Sequence, residues 1–161
     1  MIDAAAPYSE STFHDIRRSQ GDTMPVAFIT PLNPLPGHAP QVSPTVPAAL
    51  ISGNGDTRSW PAFHSVDGVV SSGVWESEAF CKRKAHPDSM EFCFILEGAV
   101  ALTDQHGNTA SFGPGDAFIV EPGFDGTWES LTRVRKYFVI AKCAAAAVPA
   151  DQPRARDEQV C

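Results

Sequence analysis

The sequence has too few basic residues for a surface that binds nucleic acid. Twelve Lys and Arg residues stand against 19 Asp and Glu residues, which gives a formal net charge of -7. A basic stripe that could neutralise phosphates is missing, so we expect no nucleic-acid partner. The chain also lacks an apolar run near the roughly 20 residues that cross a bilayer, and its N-terminal stretch lacks the pattern of a signal peptide. These absences predict no membrane partner and a cytoplasmic location.

The four cysteines do not form a metal-binding or redox motif. Cys81, Cys93, Cys143 and Cys161 are spread along the chain without a C-x-x-C pair, which excludes zinc-knuckle and thioredoxin-like motifs. We expect reduced thiols, as is usual in the cytosol. Cys93 shares its alternating face with Glu91, so two interpretations stay open for it: a thiol in a pocket, or a small core hydrophobe.

Prolines are concentrated at one end of the chain. Eight of the 14 prolines fall within residues 1–50, a density that excludes long helices and central strands. We therefore predict three parts: an N-terminal arm at 1–50, partly extended or disordered; a β-barrel at 51–143; and a C-terminal tail at 144–161. Within the arm, Val26 to Ile29 fits one short strand, whereas plain disorder is the alternative for residues 1–22.

The middle of the chain has the pattern of short strands. Residues 98–103 and 109–112 flank a turn and predict a hairpin; residues 117–120, 127–129 and 135–141 predict further strands. No ten-residue window before Ala144 has a helical period. At 161 residues and 17.2 kDa the chain suits one domain, and this strand spacing fits a closed double-sheet barrel.

Two segments carry a family pattern. Glu91-Phe92-Cys93-Phe94-Ile95-Leu96-Glu97-Gly98 and Pro114-Gly115-Asp116-Ala117-Phe118-Ile119-Val120-Glu121-Pro122-Gly123 resemble the two halves of the cupin motif. The resemblance implies an all-β fold, the cupin double-stranded β-helix or jelly-roll barrel. It also implies a homodimer, because the N-terminal strand of a cupin, here Val26 to Ile29, often adds to a partner's sheet. Gly73-Val74-Trp75-Glu76 and Arg135-Lys136-Tyr137 further resemble the branch that contains the ethanolamine-utilisation cupin protein and the (S)-ureidoglycine aminohydrolase cupin domain.

The same resemblance implies a metal site, but the ligand set is incomplete. Glu91 fits the Glu of the first half and His86 its second His, whereas Lys84 stands at the first His and Gly126 at the His of the second half. His86 and Glu91 alone would give a metal two protein ligands, against the three or four that such sites normally have. A divalent ion (Mn, Zn, Fe or Ni) is the only cofactor implied, and the residues argue against a standard site.

Strand alternation selects the candidate site residues. Lys82, Lys84 and His86 share one face, which predicts that Lys84, His86 and Glu91 point inward with Cys93 and Trp128. We assign Glu91, His86 and Lys84 as the candidate catalytic residues, because a carboxylate, an imidazole and an ammonium together support proton transfer. Substrate-binding candidates are Trp75, Cys93, Trp128, Lys136 and Tyr137; by alternation, only one of the last two faces inward. The alternatives are a solvent-facing Lys84, a turn residue at His86 and core tryptophans.

Two functions follow from this set. The first is an enzyme that acts by proton transfer on a small polar or anionic metabolite, as an aminohydrolase, lyase or isomerase. The second is a metal-free, non-catalytic module that binds a ligand or serves an accessory role. Barrels of this type hold small molecules in their interior, so both predict an occupied pocket and only the first predicts turnover.

Overall fold

Two antiparallel sheets form the molecule in a computed structural model that describes residues 28–143. One sheet has six strands in the order β1-β3-β4-β11-β6-β9 and the other has five in the order β2-β5-β10-β7-β8. The strands are β1 (Gln41–Pro44), β2 (Leu50–Ser52), β3 (Asp56–His64), β4 (Val70–Ser77), β5 (Phe80–His86), β6 (Ser89–Glu97), β7 (Val100–Asp104), β8 (Thr109–Phe112), β9 (Ala117–Val120), β10 (Phe124–Ser130) and β11 (Val134–Lys142).

Alternation along the strands builds the core between the sheets. Cys93 and Ile95 of β6 are fully buried, and the alternate residues Phe92 and Phe94 point to the other face. The opposite sheet contributes apolar side chains that pack against them, among them Trp128. Burial of this apolar area is the main force that holds the two sheets together. The core comprises Phe80, Cys93, Ile95, Val100, Leu102, Val120, Trp128 and Val134.

The predicted all-β barrel is confirmed, and most strands lie where the sequence places them. The hairpin of β7 and β8 pairs Val100 with Phe112, and β9 has the predicted bounds. One strand is longer than expected: β10 begins at Phe124, within the stretch that we expected to be a turn. No helix long and apolar enough to cross a membrane is found in residues 28–143.

The start of the barrel differs from the expected boundary at residue 50. Strand β1 lies inside the stretch expected to be an arm, and it pairs with β3 from Gln41 opposite Ser59 to Pro44 opposite Asp56. It is an edge strand, where a proline without an N–H is tolerated. Of the strand expected at Val26 to Ile29, only Phe28 and Ile29 are described, and neither is in a strand. The rest of that segment, residues 1–22 and the tail at 144–161 lie outside the described residues.

Candidate functional site

A buried carboxylate joins the two sheets at one end of the barrel. Glu91, near the start of β6, is 4% exposed, and each of its oxygens meets a different lysine. Lys84 Nζ of β5 donates to Oε2 at 2.5 Å, and Lys136 Nζ of β11 donates to Oε1 at 2.6 Å. Such charge-assisted bonds are the strong class of protein hydrogen bond. Because Lys84 belongs to one sheet and Glu91 to the other, this ion pair crosses the interior.

Strand geometry explains why these side chains meet. In β5, the side chains of Lys82, Lys84 and His86 are more buried than those of Arg83 and Ala85, as period-two alternation requires. In β11, Lys136 lies opposite the buried Ile95 of β6, next to a register shift between the two strands, and it faces inward like Val134. Lys136 is buried, and Phe138 and Ile140 follow it on the same wall of the cavity.

His86 completes the group around Glu91. Its Nδ1 lies 3.2 Å from Ser89 Oγ, and its Nε2 lies 3.3 Å from Glu91 Oε2. That second contact lacks hydrogen-bond geometry, so Nε2 is a buried nitrogen without a partner among the described residues. A buried polar atom of this kind costs free energy unless something bonds to it. His86 Nε2 is therefore the open hydrogen-bonding position of the site.

Two indole rings surround the ammonium groups. Lys136 Nζ lies 4.2 Å from the centre of the Trp128 ring and 5.1 Å from that of Trp75, and Lys84 Nζ lies 4.7 Å from the Trp128 ring. The two rings meet edge to face at 5.7 Å. Indole faces attract cations, so the rings offset part of the cost of burying these charges. Trp75 and Trp128 both line the cavity, and both also belong to or pack against the core.

The charge states follow from this arrangement. Burial alone would raise the pKa of the Glu91 carboxyl, but Lys136 and Lys84 outweigh burial and hold that pKa well below its usual range. Burial acts against the charge of Lys136, yet Glu91 raises its pKa. For Lys84, burial dominates and lowers the pKa, with attraction to Glu91 offsetting part of the effect. Glu91 is thus an ionised carboxylate that binds two ammonium groups. Of these two, Lys84 loses its proton more readily than Lys136.

The remaining two predicted binding residues lie outside the cavity wall. Cys93 is fully buried in the core; its Sγ accepts a contact from Lys136 Nζ at 3.1 Å, and burial raises the pKa of its thiol. Tyr137 points to the outer face of the sheet, where it stacks on Phe94 and its hydroxyl donates to Leu32 O at 3.0 Å. The assignment of Tyr137 as a ligand-binding residue is therefore wrong, because the inward position of that pair belongs to Lys136.

The cavity in front of this group measures about 480 Å³. Lys82 lines it as a third lysine, and the hydroxyl residues Ser43, Thr57 and Ser59 line its rim. Burial lowers the pKa of Lys82, and the neighbouring Lys84 lowers it further. Sequence patterns place Lys82 on the inward face without singling it out, and only the pairing of β1 with β3 brings the rim hydroxyls to the site.

A divalent metal does not fit these residues. Both oxygens of Glu91 already contact ammonium groups, and Lys84 brings positive charge to the place where the resemblance implies an imidazole. In the described part of the chain, no three His, Cys, Asp or Glu side chains are grouped so as to hold a metal ion. At Gly126, a Cβ atom would lie 2.0 Å from Thr103 O, so no larger residue is accommodated there without moving β7.

The comparisons with known proteins agree with this geometry. The model of the EutQ-like cupin domain family matches residues 64–138, a stretch that runs from the end of β3 into β11 and contains Glu91 and all three cavity lysines. The chain thus has the cupin fold, and residues 64–138 are similar to the EutQ-like cupin domain. No protein of curated function matches this cupin.

Solved structures give the same fold. A protein of unknown function from the DUF861 family of Pseudomonas syringae pv. tomato is 28% identical, with a TM-score of 0.62 over 68% of this chain. This cupin covers only 46% of that neighbour's length. Two further neighbours, each 15% identical with a TM-score of 0.50, show the fold alone. One is a protein assigned as ethanolamine utilisation protein Q from Salmonella typhimurium LT2, and the match covers 67% of this chain and 100% of that one. The other is a predicted oxalate decarboxylase from Thermotoga maritima, and the match covers 65% of this chain and 92% of that one.

Proposed function

We propose that this cupin binds a small carboxylate-bearing metabolite in its barrel and catalyses proton transfer on it. The observation that carries the proposal is the surplus of positive charge at the cavity. Lys82, Lys84 and Lys136 reach it from two walls, and Glu91 is the one carboxylate among the described residues that line it. Buried charge is costly unless it is paired, so an anion that enters this cavity gains the pairing that one glutamate cannot supply.

Each cavity residue has its own role in the proposed reaction. Lys82 has no carboxylate within salt-bridge distance in residues 28–143, so it is the cation that takes the substrate anion. Glu91 is a poor base because its pKa is depressed; it positions Lys84 and Lys136. His86, whose Nε2 is buried and unpartnered, accepts or donates the proton. Imidazole is the side chain most often used for this step.

Among the reaction classes, a lyase or isomerase suits these residues better than an aminohydrolase. The resemblance to the branch of the (S)-ureidoglycine aminohydrolase cupin domain supports a reaction on a small nitrogen- or oxygen-rich metabolite. Hydrolysis by metal-bound water needs a metal site with an open position, and the contacts of Glu91 with two ammonium groups oppose one. We therefore propose that this cupin removes a proton from a carbon atom of its substrate or returns one to it.

A non-catalytic binding module is the second candidate, and one observation favours it. Both Glu91 oxygens are engaged, at 2.5 and 2.6 Å, so the carboxylate of the pocket has no free position for a substrate. If His86 also serves only to bind, the cavity recognises an anion without transforming it.

Binding of acids compared with their amides tests the proposal. Thermal unfolding is measured with lactate, pyruvate, malonate and glycerate, each against the corresponding amide. We expect the acids to stabilise the wild-type protein, and Lys82→Gln to abolish the effect. Lys142→Gln removes the same charge from an exposed position on β11 and should leave it unchanged. Equal shifts for acid and amide, or no loss in Lys82→Gln, would refute the anion site.

Proton transfer has a separate readout. Exchange of carbon-bound protons of the acids that bind is followed by NMR in deuterated buffer, with wild-type protein and with His86→Asn. Exchange that depends on His86 supports the enzyme; binding without exchange supports the non-catalytic module.

A further inference from the structure

The three cavity lysines differ in how they are held. Lys136 Nζ contacts both Glu91 Oε1 and Cys93 Sγ, and its side chain is only 3% exposed. Lys84 is more accessible, with 14% of its side chain exposed, and its Nζ has one hydrogen-bond acceptor, Glu91 Oε2. Lys82 reaches the cavity without a carboxylate partner in the described residues. Lys84 is thus the lysine whose amine is accessible from the cavity and is held by a single hydrogen bond, to Glu91 Oε2.

A second group sits on the same carboxylate oxygen. His86 Nε2 lies 3.3 Å from Glu91 Oε2, the oxygen that receives the Lys84 bond. One oxygen therefore lies between an amine and an imidazole, so a proton that leaves Lys84 can pass along this oxygen to His86. The Trp128 ring lies beside both the Lys84 and the Lys136 ammonium groups, so Lys84 has an apolar ring and a second cation as neighbours.

We propose that Lys84 is a covalent nucleophile that forms an imine with the carbonyl carbon of a 2-oxo acid bound in the cavity. The inference rests on the proposed function, since the cavity cations are what hold the acid's carboxylate. It narrows the ligand to acids that carry a carbonyl beside the carboxylate. A desolvated lysine next to another cationic group is a known way to activate an amine.

The step balances with groups that the cavity holds. The Lys84 ammonium gives a proton to His86 by way of Glu91 Oε2, and the free amine attacks the carbonyl carbon. A C–N bond forms, the C=O π electrons move to the oxygen, and a proton passes from the attacking nitrogen to that oxygen to give a carbinolamine. His86 then protonates the hydroxyl, the C–O bond breaks and one water leaves, which yields the protonated imine. That cation withdraws electrons from the adjacent carbon, so a proton on that neighbouring carbon is released more easily.

Reductive trapping with pyruvate tests the inference on the full chain. Protein is incubated with pyruvate and sodium borohydride, which delivers hydride to the imine carbon and makes the bond permanent; intact mass and peptide mapping then locate the adduct. We expect the mass of one reduced pyruvyl group, on the peptide that contains Lys84. Lys84→Arg keeps the charge and cannot form an imine, so its adduct should fall to the background without pyruvate. Lys142→Arg, at an exposed site on β11, should label like the wild type.

The possible outcomes separate this inference from the function on which it rests. Labelling at Lys84 supports it, and because the site is mapped on the wild-type protein, the result does not depend on folding of a variant. Pyruvate that stabilises the protein against heat but gives no adduct, or an adduct at Lys82 or Lys136, overturns the covalent role and leaves the anion site standing. If pyruvate gives no adduct and none of the acids binds, both proposals fail.

Discussion

Glu91→Gln should destabilise this cupin more than any other change of a single charge in the pocket. The substitution keeps the size of the side chain but removes the negative charge between Lys84 and Lys136, and it points an amide N–H donor at one ammonium. Breaking a buried ion pair by removal of one partner costs about 3–5 kcal/mol. Two charge-assisted bonds at about 1.5–3 kcal/mol each give a similar figure. Because Lys84 is partly exposed, we expect about 3–4 kcal/mol, a large share of the roughly 5–15 kcal/mol of a typical domain.

Urea unfolding followed by tryptophan fluorescence measures this loss, since Trp128 is buried beside both ammonium groups. Glu97→Gln is the matched control: it lies on the same strand, its side chain is 54% exposed, and its nearest cation, Arg135, is 3.8 Å away. That change should cost no more than about 0.5 kcal/mol. Adding Lys136→Met to Glu91→Gln should recover part of the stability, because one uncompensated charge is removed. A Glu91→Gln loss within about 1 kcal/mol of the control would refute the argument, since that is the ordinary effect of a point mutation.

Three further predictions use the same unfolding assay. The Glu91 carboxyl has a folded pKa well below its ordinary 4.5, so its contribution is complete above about pH 4.5 and is lost as pH falls toward the folded pKa; Glu91→Gln should flatten that part of the stability profile, and parallel profiles would contradict the assignment. Gly126→Ala should cost about 1–3 kcal/mol, because its Cβ would meet Thr103 O at 2.0 Å; a neutral result would mean that β7 and β10 adjust freely. Glu76→Gln should cost about 3 kcal/mol, since that buried carboxylate binds three arginines, whereas Glu78→Gln, half exposed with one arginine 3.7 Å away, should be close to neutral.

The sequence predicts the architecture well because its signals are local. Alternation and turn residues define the β7–β8 hairpin and strand β9 without reference to the rest of the chain. The same alternation places Lys84 and His86 on the inward face of β5, where the structure has them. The period-two alternation of side chains therefore predicts both the fold class and part of the candidate site.

Other features depend on pairing between distant segments. Alternation predicts that one of Lys136 and Tyr137 faces inward, but which of them does so depends on the pairing of β11 with β6, in which Lys136 lies opposite the buried Ile95. Likewise, the contact of Lys136 with Glu91 joins residues 45 positions apart. A local sequence pattern determines neither the register of two strands nor the position of a bulge. The sequence therefore identifies these residues as candidates but does not predict that they meet.

The proline-rich start of the chain shows a third kind of limit. Proline density predicts an arm because proline is excluded from central strands. Strand β1 ends with Pro44 at the edge of its sheet, where that exclusion does not apply. Whether a strand is central or at an edge follows from the complete sheet, and this is why Ser43, at the rim of the cavity, was not a candidate.

The central claim is that lysine ammonium groups, and not a metal, make this pocket a carboxylate site. Calorimetric titration of the chelator-treated full chain tests it most directly, with whichever acid of the panel gives the largest thermal shift and with its amide as the control. We predict that the acid binds with no metal present, that the amide does not, and that Lys82→Gln weakens binding by about tenfold or more, the equivalent of about 1.4 kcal/mol. Binding that appears only after Mn, Zn, Fe or Ni is restored, or that is equal for acid and amide, would contradict the account.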